Sequence, residues 1–448
     1  MAREKRDLTQ GSIPRNLIAL ALPLVAANLL QTTFNIVDML FVGRLGPAAI
    51  AAVSLAGVIT MFLMTIAIGL ATGTQAMISR FIGAKDQQQA EVVAIQSLFL
   101  GIFSSFFLSI IGLFLSQFLL ELVGAKGEVL SLGKGYLQIM FSGIYTVFLL
   151  FLVSAIFQGV GNTVTPMKIL LFSTVSNIVF DPLLIFGIWF FPHWGVNGAA
   201  AATVTARGLG MLTGIYLLFK GKSGIYLHLQ KVRIDLGMMW RIIRIGLFAS
   251  LQASLRNISQ IVVARIVASF GTYAIAAYGI GMRVRMVVMM PGFGLAAATA
   301  VLVGQNLGAK NPQRAEKSGL ISSLLYSLFM VFTGSLFHIF AQPIISAFNP
   351  QPDVVRIGVN YLHVLTLSFV FLGIAIVLSR AMNGAGDTIS PMVITGFTLL
   401  ILRIPLCLFL SRILGTTGIW VGLAISDLAN GLLTLFWFIE GRWKRRSI

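Results

Sequence analysis

The sequence predicts an all-α membrane protein in which twelve transmembrane helices form two six-helix lobes related by a parallel internal repeat. The first observation behind this prediction is composition. Hydrophobic residues make up 57% of the 448-residue chain and charged residues only 10%, whereas a soluble domain carries about a quarter charged residues. Such a chain cannot cover itself with polar surface, so it belongs in a lipid bilayer.

The second observation is an internal repeat, which appears when the sequence is shifted along itself by 225 residues. Residues 50–52 then fall on 275–277, residues 83–86 on 308–311, and residues 159–163 on 384–388. One offset holds all these segments in register, so the two halves are copies of one unit. An even number of helices in each copy makes the repeats parallel, a layout typical of transporters.

Each predicted span is an apolar stretch of about 20 residues or more, the length that crosses a bilayer. The only sizeable hydrophilic break, Lys220 to Asp235, separates the halves, so we predict an N-lobe at 1–222, a cytoplasmic linker at 223–237 and a C-lobe at 238–448. The spans are expected at 16–41, 50–80, 92–120, 132–158, 166–190, 196–219, 240–265, 272–303, 317–340, 355–382, 390–413 and 417–439.

The net charge of +18 indicates an orientation and not a nucleic-acid partner. With the N-terminus in the cytoplasm, most basic residues lie on the cytoplasmic side, in the N-terminal segment, the central loop and the C-terminal tail. This is the positive-inside asymmetry of membrane proteins. We therefore expect a protein of the cytoplasmic (inner) membrane, surrounded by the lipid bilayer, with both termini in the cytoplasm. We also expect it to be a monomer.

Two polar stripes occur in the predicted N-lobe. Gln31, Asn35 and Asp38 lie on one face of the first helix, and Asn177 and Asp181 lie one turn apart on the fifth. Charged side chains inside spans are costly and are functional candidates by default. Both helices run in the same direction, so the two acids are expected at similar depth.

Two carboxylates that face each other at low dielectric cannot both ionise cheaply, so such a pair can hold a proton or bind Na⁺. The alternative is that the acids only hydrogen-bond neighbouring helices. The repeat argues against this alternative, because structural contacts should recur in both halves. Val263 takes the place of Asp38 in the second half, and the segment from Leu400 to Leu406 has no acid where Asp181 would fall.

The predicted C-lobe is instead rich in arginine, with Arg256, Arg283, Arg285 and Arg403 within spans or at their ends. Asp427 on the last helix is expected at the depth of Arg403, and we predict a structural ion pair between them. Two interpretations of the other arginines stay open. They extend to the lipid headgroups, or they line the cavity and receive an anionic group.

No motif for a cofactor, a metal or a nucleotide occurs in the sequence, and its four histidines show no metal-ligand spacing. A membrane enzyme would need a nucleophile, a metal site or paired acids at the membrane surface, and none is found. We expect a protein that is not an enzyme, has no cofactor and draws its energy from a gradient of H⁺ or Na⁺.

These residues resemble the multidrug and toxic compound extrusion (MATE) transporters, and among them the archaeal and DinF-like branch. The resemblance spans nearly the whole chain. It is carried by Pro23, the motif from Asn35 to Gly46, the turn from Gln158 to Pro166, the segment from Ser176 to Pro182, and the paired Gly-Ala-Lys loops.

The resemblance implies an exporter of small organic compounds, mostly cationic and amphipathic, in exchange for H⁺ or Na⁺. It implies a cation site at Asp38, Asn177, Asp181 and Thr203, and a substrate cavity lined by Gln31, Asn35, Tyr136 and Ser154. Ser154 replaces an Asn that is frequent in this branch, which weakens a full Na⁺ coordination. The C-lobe acids of the Na⁺-driven NorM-like branch have no counterpart here, so we favour protons.

The expected mechanism is a rocker switch in which protonation lets the first helix bend near Pro23, where the ring removes a helical hydrogen bond. The alternative function is a flippase for lipid-linked oligosaccharides of the same superfamily, whose pyrophosphate the C-lobe arginines would hold. Against it, such relatives usually have more helices, and the two N-lobe acids would repel the phosphates.

Overall fold

The computed structural model of the protein describes residues 7–221, 224–228 and 234–446, and every regular element within them is helical. The first half contains α1 (Ile13–Gly43), α2 (Pro47–Gly83), α3 (Gln87–Leu122), α4 (Gly127–Ser142), α5 (Ile144–Val160), α6 (Val164–Phe186) and α7 (Val196–Phe219). The second half contains α8 (Leu236–Ala268), α9 (Thr272–Gly308), α10 (Pro312–Ile339), α11 (Ala341–Phe348), α12 (Pro352–Thr366), α13 (Phe369–Gly384), α14 (Ile389–Gly396), a π-helical stretch (Phe397–Leu402), α15 (Arg403–Leu414), α16 (Thr416–Glu440) and a 3₁₀ turn (Arg442–Arg445). The all-α prediction is confirmed.

In the described part of the chain, nine helical spans are long and apolar enough to cross a membrane, and two bent pairs raise the number to eleven. The pairs are α4 with α5, bent by 48°, and α12 with α13, bent by 56°. The remaining predicted span corresponds to α8, which is helical over 33 residues but carries several arginines. The bends, the short helix α11 and the π-helical stretch were not predicted.

The repeated loops between the second and third helices of each half have the same conformation. Lys85 and Lys310 both adopt a left-handed backbone, with φ of 59° and 56°. The next residue then caps the following helix, because Asp86 Oδ1 accepts from Gln89 N at 3.0 Å and Asn311 Oδ1 accepts from Arg314 N at 3.0 Å. The duplication seen in the sequence is therefore also a duplication of local structure.

Two compact units make up the described chain. The first unit covers Ala26–Leu247, and the second contains Asp7–Val25 together with the chain from Phe248 onward. The start of α1 groups with the second unit, and the start of α8, up to Leu247, groups with the first. Each unit thus includes the beginning of the first helix of the other repeat.

Each of these helix starts, that of α1 and that of α8, crosses another helix of its own unit at close range. In the first unit, a Cβ on Gly73 of α2 would stand 2.5 Å from the carbonyl oxygen of Ile242 in α8. In the second unit, a Cβ on Gly294 of α9 would stand 2.8 Å from the amide nitrogen of Val25 in α1. Small residues allow helices in membranes to approach this closely.

Candidate functional site

The first polar stripe lies on the part of α1 that belongs to the first unit. Asp38 is half-buried, and its Oδ1 has no hydrogen-bond partner among the described residues. One turn earlier, Gln31 Nε2 donates to Asn35 Oδ1 at 3.3 Å. The carboxylate therefore retains an unused acceptor inside a predicted span.

The second stripe lies on α6 and is fully buried. Asn177 Nδ2 donates to Asp181 Oδ1 at 3.0 Å, and both residues have 0% exposed surface. The opposite oxygens, Asn177 Oδ1 and Asp181 Oδ2, have no partner in the described structure. A buried polar atom without a partner is costly, so this arrangement indicates a ligand or a proton.

The predicted cation-site residues come from three helices of the first unit, α1, α6 and α7. Asp38 and Asp181 are close enough to interact electrostatically, and Tyr136 of α4 interacts with both. Thr203 of α7 is buried, and its Oγ1 also lacks a partner among the described side chains. α6 and α7 are joined nearby, where Ser173 Oγ donates to the Ala206 carbonyl at 3.0 Å.

Two other predicted residues have different settings. Ser154 is half-buried on α5. Pro23 lies inside α1, which remains helical from Ile13 to Gly43 despite the missing amide. The change from the second unit to the first follows Pro23 by two residues, at Val25.

Sequence reasoning missed Arg207. This residue lies near the middle of α7, one turn after Thr203, and it interacts electrostatically with Asp38 and Tyr136. Its guanidinium lies 5.1 Å from the centroid of the Phe34 ring, within range of a cation–π interaction. A signal was present, because an arginine near the centre of an apolar span is as unusual as an aspartate.

The second unit contains a buried ion triad. Asp427 of α16 pairs with Arg403 through Oδ1 and with Arg285 of α9 through Oδ2, both at 2.6 Å. Ser426 Oγ accepts a further hydrogen bond of 2.7 Å from Arg403 Nε. The predicted Arg403–Asp427 pair is present, and Arg285 adds a second pairing that was not predicted.

Aromatic side chains enclose this triad. Tyr278 and Trp420 stack at 5.9 Å between ring centroids, and Tyr361 meets Trp420 edge-on at 4.9 Å. Tyr361 and Trp420 are fully buried. Arg283, by contrast, is exposed on α9, and Arg256 is half-buried on α8.

The MatE family profile matches residues 23–183 and 249–409, one match in each half and together well over half of the chain. The chain belongs to the MATE family. This MATE protein is therefore a membrane transporter and not an enzyme, as the sequence predicted.

Relatives match this MATE protein over nearly its full length. A Thermotoga maritima protein named "Probable multidrug resistance protein NorM" is 30% identical over 99% of this chain and 97% of its own. The "FAD transporter" of Shewanella oneidensis is 29% identical over 96% of this chain and 95% of its own. A MATE crystal structure in the bent conformation is 25% identical, covers 98% of both chains and has a TM-score of 0.92.

Within this MATE protein, the last helices of the two repeats carry opposite charges at one position. α7 and α16 align through the left-handed glycines that precede and follow them, Gly195 with Gly415 and Gly221 with Gly441, at an offset of 220 residues in place of the 225 of the earlier segments. Arg207 then falls on Asp427. The first unit thus has one arginine with two aspartates, and the second has one aspartate with two arginines.

Proposed function

We propose that this MATE protein is a secondary antiporter that exports amphipathic organic compounds, with cationic compounds preferred, in exchange for protons. The observation that carries the proposal is the pair Asp38 and Asp181, which interact while one oxygen of each lacks a partner among the described residues. Relatives that are named as multidrug resistance and multidrug export proteins support drugs as the exported compounds.

The charges at this site support coupling to one proton. Two ionised aspartates and Arg207 give a net charge of −1, which a single proton neutralises. Na⁺ could use the free oxygens of Asn177 and Thr203 as ligands, but Arg207 interacts with Asp38 and would repel it. The guanidinium also opposes protonation of Asp38, but a proton forms a covalent bond with one carboxylate and needs no ligand cage, so we favour H⁺ over Na⁺.

Coupling between the proton and the exported compound then follows, because both bind at the same site. With the acids ionised, the first unit attracts a cationic compound, and protonation removes that attraction. A ligand shifts a conformational equilibrium only as far as its affinities for the two states differ. Protonation and drug binding therefore favour opposite states of a rocker switch, with α1 bending near Pro23, where a helical hydrogen bond is missing.

The test uses purified protein in liposomes and the efflux of a cationic dye under separately imposed pH and Na⁺ gradients. Wild type should respond to the pH gradient and not to the Na⁺ gradient. Asp38→Asn should abolish the response to pH. Glu128→Gln is the matched control, because Glu128 is an exposed acid in the first turn of α4, the helix that also carries Tyr136. A pH response that survives in Asp38→Asn contradicts the proposal.

Orientation is part of the proposal. We place both termini on the cytoplasmic side of the cytoplasmic membrane and treat the protein as a monomer. The basic central loop and the tail with Arg442, Lys444, Arg445 and Arg446 support this orientation. Protease cleavage of tags at both ends in inside-out vesicles, but not in right-side-out cells, is the expected result.

A second candidate function is the export of compounds that carry phosphate. One observation favours it, namely that the second unit contains several arginines near a single aspartate that is already paired twice. The relative named "FAD transporter" is consistent with this chemistry, and a flippase for pyrophosphate-linked lipids would share it.

A further inference from the structure

Arg256 stands apart from the paired arginines of the second unit. It is half-buried on α8, and it makes no ion pair with any residue in the described ranges. The charged groups that act on it are Arg380 of α13 and Arg403, and both are positive. Neither of these two neighbours supplies Arg256 with a negative charge.

Hydrogen bonds fix the helices that carry Arg256 and Arg380. Asn383 Nδ2 donates to Gln252 Oε1 at 3.3 Å and so joins α13 to α8. Gln252 Nε2 also donates to Thr395 Oγ1 at 3.0 Å, which holds α14 at the same level. Arg256 follows Gln252 by four residues and Arg380 precedes Asn383 by three, so each lies one turn from the bonded pair.

The neighbouring triad shows what a structural arginine looks like in this unit. Arg285 and Arg403 both reach Asp427 at 2.6 Å and are almost fully buried. Both oxygens of Asp427 are engaged by these two arginines, and no ion pair joins the carboxylate to Arg256 among the described residues. A guanidinium at low dielectric needs a counter-charge, and no carboxylate of the described residues pairs with Arg256.

We propose that Arg256, with Arg380 beside it, binds a phosphate-type anionic group of a ligand. Arginine suits this group because its planar fork donates two parallel hydrogen bonds to phosphate or carboxylate oxygens. The inference deepens the second candidate function by naming the residues that bind the anionic group, and it rests on that function. A soluble organic phosphate and a lipid headgroup share this chemistry.

The experiment measures ADP binding to the full-length protein in nanodiscs of zwitterionic phosphatidylcholine, without any ion gradient. Wild type should bind ADP, and Arg256→Gln should weaken binding by about tenfold or more, as expected for the loss of a charge-assisted hydrogen bond. Arg265→Gln is the matched control, since Arg265 is exposed in the last turn of the same helix and its loss changes the net charge equally. It should leave the Kd for ADP unchanged.

A second set of nanodiscs contains phosphatidylglycerol and separates the two ligand sources. Competition of this lipid with ADP in wild type identifies a headgroup as an occupant, and unchanged ADP binding identifies a soluble anion. Equal ADP binding by Arg256→Gln and wild type overturns the proposal, as does equal weakening in Arg265→Gln. Failure of wild type to bind ADP overturns it too, unless phosphatidylglycerol is retained in an Arg256-dependent way.

Folding is checked by size-exclusion chromatography and by the thermal midpoint. If Arg256→Gln does not fold, Arg256→Lys keeps the charge but loses the fork, and it should weaken ADP binding by a smaller factor. Because no gradient is applied, the result is independent of proton coupling. If wild type exports dye under a pH gradient but does not bind ADP, only this inference fails. If wild type binds ADP through Arg256 but does not export dye under a pH gradient, only the antiport proposal fails.

Discussion

The two units of this MATE protein carry opposite charge at equivalent places. In the first, Arg207 accompanies two aspartates whose carboxylates keep unpaired oxygens; in the second, Asp427 accompanies two arginines and uses both oxygens. Unused acceptors leave room for a proton or a ligand, whereas a carboxylate paired with two guanidinium groups is held in its ionised form. The comparison indicates that charge can change in the first unit and is fixed in the second.

Replacing aspartate by asparagine should therefore lower the free energy of unfolding strongly in the second unit and only slightly in the first. Asp427→Asn leaves Arg285 and Arg403 buried without a counter-charge, and we expect a loss of about 3–5 kcal/mol in the free energy of unfolding. A large drop in the thermal midpoint in detergent, or failure to purify, would show it. Asp353→Asn is the control, because its pair with Arg356 is exposed and such pairs contribute about 0–1 kcal/mol.

Asp181→Asn should change the free energy of unfolding by less than about 1 kcal/mol, because its new amide oxygen can still accept from Asn177. The same variant should lose pH-driven dye efflux completely. Thermal midpoint and efflux are measured on one preparation. A variant that unfolds as readily as Asp427→Asn would show that Asp181 is structural.

Removing the positive charge of Arg207 should increase the affinity of the first unit for Na⁺. In Arg207→Gln, we expect Na⁺ to inhibit pH-driven efflux at a concentration about tenfold lower than in wild type, since its repulsion by the guanidinium is gone. Arg207→Lys keeps the charge and should behave like wild type. An unchanged Na⁺ response in Arg207→Gln would contradict the explanation given for proton preference.

A further prediction concerns the close helix crossing that lies within each unit. Gly73→Ala and Gly294→Ala should each cost about 1–3 kcal/mol in the free energy of unfolding, because the new methyl group meets backbone atoms. Gly57→Ala in α2 is the control, since a Cβ there meets nothing within 4 Å. A lower free energy of unfolding for only one of the two variants would show that the crossings are not equivalent.

Helix positions could be predicted from the sequence because long apolar runs leave few alternatives in a membrane. The bends at Gly143 and at Leu367–Ser368 could not, because apolar composition continues through both breaks. The π-helical stretch Phe397–Leu402 was hidden for the same reason.

The candidate site was predictable to the extent that acids are rare within spans. Asp38 and Asp181 stood out for this reason, while Arg207 and Arg380 were overlooked among many basic residues. Sequence position could place Arg403 at the depth of Asp427, but it could not show which way α9 turns Arg285. That orientation depends on packing between helices distant in the chain.

The exchange of helix beginnings between the units also constrains how the chain is made. Residues up to Val25 leave the ribosome first, yet their partner helix α9 begins only at Thr272. The first unit likewise lacks its last piece until Leu247 has been synthesised. Each compact unit therefore draws on both halves of the sequence, so we expect the start of α1 to reach its final packing only after α9 has been synthesised.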